Sequence, residues 1–142
     1  MSAEPGELLA ALLDTVIPAS GDMPGAGAHG LAADVVTDAA GTPLANGLEV
    51  VLAALPDGFA RLDQTGREDA LGSVADAEPA AVAAVVNLTY TAYYTDPTVL
   101  GLVERHTGYN AGPPQPSGYE LPVFDPAVLS RTRRSAPIWR EA

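Results

Sequence analysis

The sequence predicts an all-α fold: a small helical bundle of five or six helices over residues 1–107, then an extended Pro/Gly-rich C-terminal tail over 108–142 with one short helical turn. Three observations predict it. Apolar residues recur at helical spacing through the first part of the chain. Clusters of Pro and Gly cut those runs into separate elements. From Gly108 to Phe124, three Gly and four Pro leave no regular element at all.

Leu8, Leu9, Leu12, Leu13, Val16 and Ile17 form one broad apolar face of a first helix. Pro5 and Glu7 suit its first turn, and Pro18 stops it. Pro18–Gly30 reads as a loop, with four Gly and two Pro in thirteen residues. A short helix over Leu31–Ala40 places Leu31, Val35 and Val36 on one side. Gly41-Thr42-Pro43 breaks it. Leu44–Leu55 aligns Leu48, Val51, Leu52 and Leu55, and Pro56-Asp57-Gly58 ends it.

Thr65-Gly66-Arg67-Glu68 has the spacing of a capping box and predicts a helix reaching about Ala77. Pro79 is placed as the first residue of the next helix, which runs to Tyr94 and is nearly apolar on every side. That predicts a central helix with Val82, Val85, Val86 and Tyr93 buried. Asp96-Pro97 opens a last helix to about His106, and Asp125-Pro126 caps a single turn over Ala127–Ser130.

Composition excludes several functions. The chain has no cysteine, so thiol catalysis, zinc-thiolate sites and disulfides are out. It has no lysine, and its net charge is −11, which argues against nucleic acid and anionic lipid as partners. No apolar run is long enough to span a membrane. Residues 1–60 contain no Lys or Arg, so no positive n-region of a signal is visible. That predicts a cytoplasmic protein, or a periplasmic one if a leader has been removed.

No catalytic constellation emerges. His29 stands in the glycine-rich loop, with Asp22 seven residues earlier. His106 stands near a helix end, where a histidine commonly complements the dipole. Gly25-Ala26-Gly27-Ala28-His29-Gly30 matches G-x-G-x-x-G, but that fingerprint must follow a buried strand, and here a helix precedes it. A turn between helices is the better reading. No serine lies in a nucleophile elbow. Tyr90, Tyr93 and Tyr94 at helical spacing read as core.

Two segments carry a resemblance. Leu8–Ile17 followed by Pro18-Ala19 and Pro24-Gly25-Ala26 resembles the opening of the gluconate 2-dehydrogenase subunit 3 family. Tyr90-Thr91-Ala92-Tyr93-Tyr94-Thr95-Asp96-Pro97 resembles that family's late tyrosine-rich helix, and Gly108-Tyr109 its Gly-Tyr pair. Gly112-Pro113-Pro114-Gln115-Pro116 and Pro137-Ile138-Trp139-Arg140 are similar to the tails of actinobacterial members. The resemblance implies an accessory role. Such small subunits support a glucose-methanol-choline-type large subunit that carries FAD and oxidises a sugar or polyol. The small subunit itself carries no cofactor and no catalytic residue.

A mismatch in the tail points to where a partner would bind. It is too rich in Pro and Gly to build a core, yet it carries large apolar and cationic side chains. Tyr109, Tyr119, Phe124, Arg133, Arg134 and Trp139 are therefore the candidate partner-binding residues. Two alternatives stay open. One is a small-molecule binder or enzyme using the 18–30 loop, with His29 and Asp22 as its polar groups. The other is a self-associating helical protein, a homo-oligomer.

Overall fold

A computed structural model describes residues 5–110 and 123–129 of the chain. The chain divides into two units, Met1–Ala111 and Gly112–Ala142. Among the described residues the first unit holds six α-helices and no strand: α1 (Pro5–Val16), α2 (Ala32–Ala39), α3 (Leu44–Ala54), α4 (Gln64–Ala77), α5 (Pro79–Thr95) and α6 (Pro97–Thr107). A short 3-10 turn, Phe59–Arg61, joins α3 to α4. In the second unit a 3-10 turn spans Pro126–Leu129, opened by Asp125, whose Oδ1 accepts the N–H of Ala127 at 2.9 Å. The all-α expectation holds.

Local chemistry sets most element ends. Asp96 caps α6, its carboxylate accepting from the N–H groups of Thr98 and Val99, and Pro97 fits the first helical position because its missing N–H needs no partner there. Gly108 closes the same helix in the left-handed region, at φ +71°, where a Cβ would be strained. One start differs from expectation. Helix α4 begins at Gln64, and its cap is Asp63, whose carboxylate accepts the N–H of Gly66. Thr65 lies inside the helix. Asp63 has the extended backbone of a cap residue and the more strongly accepting side chain, so it takes the orphan N–H first.

The core gathers around α5, which touches every other helix. Leu12, Leu13, Val35, Val51, Phe59, Val85 and Val99 have no solvent exposure. Each such side chain contributes roughly 1.5–3 kcal/mol by leaving water. Helix α3 packs closely on α5 at Gly47, where a Cβ would meet Ala84 and Ala81. The buried threonine hydroxyls are satisfied within their own helices: Thr89 Oγ1 donates to the Val85 carbonyl and Thr15 Oγ1 to that of Ala11, both at 2.7 Å.

Helix α5 is central but not covered on every side. Val85 and Tyr93 are buried as predicted. Val82 is only half-buried, and Val86 is exposed, as are Tyr90 and Tyr94. Val36 of α2, expected on one side with Val35, is likewise exposed, whereas Val35 is buried. A helix apolar all round has no periodicity to say which side its neighbours will take. Among the described residues no helix is long and apolar enough to cross a membrane.

Candidate functional site

The 18–30 loop is held to the helices by several side-chain hydrogen bonds. It begins where Pro18 ends α1 and returns to start α2. Ser20 and Met23 exchange backbone hydrogen bonds at 3.0 Å, closing a tight turn at Gly21, and the Ala26 N–H donates to the Ile17 carbonyl. The G-x-G-x-x-G stretch is then pressed against α1. The N–H groups of Gly27 and Ala28 donate to Asp14 Oδ1 at 2.8 and 3.0 Å. A Cβ on Gly27 would run into the backbone of Ala10, and one on Gly25 into the Asp14 carboxylate. These glycines permit close contact with α1.

That arrangement answers the dinucleotide question chemically. Successive backbone N–H groups of a glycine-rich turn are an anion cradle. Here a carboxylate of the chain itself occupies it. The turn reading holds.

The loop is also tied to α5 and α6. Tyr93 Oη donates to the Pro24 carbonyl at 2.7 Å. His29 Nε2 lies 2.9 Å from Asp96 Oδ1, with both side chains about one-fifth exposed. His106 Nε2 lies 2.7 Å from Asp22 Oδ1, both about half-exposed. The structure therefore separates His29 and Asp22, which the ligand-binding alternative grouped together. Each takes a partner from α6 or its cap. His106 sits in the last turn of α6, as expected for a dipole complement, and additionally holds the loop.

Asp96 is the electrostatic hub. Partial burial pushes its carboxyl up, but hydrogen bonds from the Val99 N–H, the His29 ring and the Thr98 N–H outweigh it. The group ends below the ordinary carboxylate value. Tyr93 moves the other way, its phenol raised by burial first, then by the neighbouring Tyr94 and Asp96.

Open recesses mark the surface of the first unit. One of about 230 Å³ lies between α2 and the α5–α6 junction, with Asp34, Asp38 and Asp96 among its lining residues. An apolar one of about 420 Å³ is lined by Ala54, Pro56, Ala70, Val74 and Ala77 with Ser73 and Glu78. Among the described residues no group of three or more His, Cys, Asp or Glu could hold a metal ion.

Of the candidate partner-binding residues, Tyr109 and Phe124 are described, each about two-thirds exposed, and Val123 beside Phe124 is almost fully exposed. Tyr119, Arg133, Arg134 and Trp139 lie outside the described residues. The sequence reading passed over the exposed face of α5. No periodic signal marked it, because small and polar residues stand on the buried side as well, at Ala81, Ala84, Thr89 and Ala92.

Comparison with protein-family models, with curated proteins and with solved structures finds no match to this chain.

Proposed function

We propose that this chain is a non-catalytic small subunit that binds a FAD-dependent glucose-methanol-choline-type sugar or polyol dehydrogenase in the cytoplasm and supports its folding or stability. FAD sits on the partner in this reading. The observation that carries it is the set of large side chains left uncovered at either edge of the proline-rich segment: Tyr109 before it, Val123 and Phe124 after it. Aromatic side chains are preferred interface anchors, and proline stiffening lowers the ordering cost of an extended binder. The tail's arginines add cationic anchors to a chain that is otherwise acidic. The resemblance to the subunit 3 family supplies the class of partner. The occupied N–H groups of the 18–30 loop favour a protein partner over a phosphate-bearing ligand on this chain.

The test is co-expression of the full chain with a glucose-methanol-choline-type flavoprotein from the same host. The expected result is a complex that co-purifies, carries flavin absorbance and outlives the flavoprotein alone. Tyr109→Ser with Phe124→Ser weakens that co-purification without changing the helical signal. A flavoprotein that folds, holds flavin and turns over equally well without this chain would defeat the proposal.

A further inference from the structure

Helix α5 turns to solvent a face that the fold leaves uncovered, and the face has a shape. Its exposed positions fall into two adjacent rows of every fourth residue. One row is tall: Val86, Tyr90 and Tyr94, exposed by 36, 48 and 47 %. The other is short: Ala83, Asn87, Thr91 and Thr95, all exposed. A ridge therefore runs beside a trough.

The ridge is held in place from behind. The Tyr94 ring meets the ring of buried Tyr93 edge-on, with centroids 5.1 Å apart. Tyr93 is in turn fixed by its hydrogen bond to the Pro24 carbonyl. The Tyr90 and Tyr94 centroids are 5.8 Å apart. Rings ordered before a partner arrives lose little rotamer freedom on binding.

The face is also uncharged. Helix α5 contains no Asp, Glu, Lys or Arg in its 17 residues, on a chain of net charge −11. Residues 5–110 carry fourteen carboxylates against three arginines. A partner recognised by charge would be met by those carboxylates; they reach this face only at its Thr95 end, beside the recess lined by Asp34, Asp38 and Asp96. The face's polar groups are phenols, threonine hydroxyls and one asparagine amide. The phenols and the amide can each donate and accept, so each can bond to its own copy, while the Thr95 hydroxyl donates to the Thr91 carbonyl and is left to accept.

We propose that this face is the contact between two copies of the chain. A two-fold axis seats the Val86–Tyr90–Tyr94 ridge of one copy in the Ala83–Asn87–Thr91–Thr95 trough of the other. An isologous contact needs a surface complementary to itself, which a ridge and a trough lying side by side provide. Interdigitated rows of this kind cross at about −50°. The two acidic bodies repel, and an uncharged contact keeps their carboxylates off the centre. Added salt screens that repulsion and strengthens the pair, whereas it would weaken binding to a basic partner.

Sedimentation equilibrium of the full chain, over a concentration series at low and high salt, tests this. The expected result is a reversible monomer–dimer equilibrium whose dimer fraction rises with salt. Tyr90→Glu places a carboxylate on each side of the contact and raises Kd by about tenfold or more. Thr91→Trp fills the trough without charge and has the same effect. Both positions are exposed, and unchanged helical circular dichroism checks that the variants fold. A chain that stays monomeric at every concentration and salt overturns the proposal. So does a dimer whose Kd neither Tyr90→Glu nor Thr91→Trp moves, or one that weakens as salt is added.

Discussion

His29 Nε2 and Asp96 Oδ1 meet at 2.9 Å, and the same carboxylate oxygen accepts the N–H groups of Thr98 and Val99. One oxygen thus starts α6 and anchors a loop 67 residues earlier in the chain. At the other end of α6, His106 holds Asp22 of that loop. The helix grips the loop at both ends, with histidine and carboxylate exchanged between the two ties.

Asp96→Ala removes the cap and the His29 tie together. It destabilises the fold by about 1–2 kcal/mol in urea unfolding, and Asp96→Asn, which can still accept from the N–H groups, loses less. The pH dependence has a definite sign. The carboxyl of Asp96 is lowered in the folded state, so its contribution is present above the unfolded value of about 3.9 and is lost as pH falls through the folded value. Thermal melts below about pH 4 should fall more steeply for the parent than for Asp96→Asn. Equal acid limbs would show that the hub adds nothing.

Tyr93→Phe deletes the hydroxyl that satisfies the Pro24 carbonyl. The variant should lose about 1 kcal/mol or more at neutral pH. The phenol is raised in the folded state, so its stabilising effect is intact below the unfolded value of about 10 and is lost as pH rises through the folded value. The parent should therefore lose stability above about pH 10 more steeply than Tyr93→Phe. Melting temperatures from pH 8 to 11 check this.

Gly47→Ala tests the α3–α5 contact. In an exposed helix the change would stabilise by about 1 kcal/mol. Here the new Cβ would lie 2.6 Å from the Ala84 Cβ and 3.3 Å from the Ala81 carbonyl oxygen. The helices must separate, and overpacking of this kind costs about 1–3 kcal/mol. A variant at least as stable as the parent would mean that α3 yields freely.

Val85→Asp and Val86→Asp compare a buried and an exposed position next to each other in α5. Val85 has no exposure, so its carboxylate would be buried without a partner and cost several kcal/mol, a large part of a domain's stability. Val86 is exposed, and its substitution should shift the stability of dilute protein by no more than about 0.5 kcal/mol. Denaturant melts of the two variants settle the orientation of the helix.

The sequence by itself determined the helical class, nearly every helix end, the loop at 18–30 and the absence of thiol chemistry. Those features are local. Helical period, capping and proline stops act over four residues or fewer, so Pro18, Asp96-Pro97 and Gly108 carry their meaning wherever the chain goes. Tertiary structure alone decided three other things. It chose Asp96 rather than Asp22 for His29, because that pairing joins residues 67 apart. It filled the glycine-rich turn with the Asp14 carboxylate by laying the loop on α1. And it chose the covered side of α5: with valine and tyrosine on every side of that helix, the neighbours α1 to α4 and α6 settled which of them became core and which became surface.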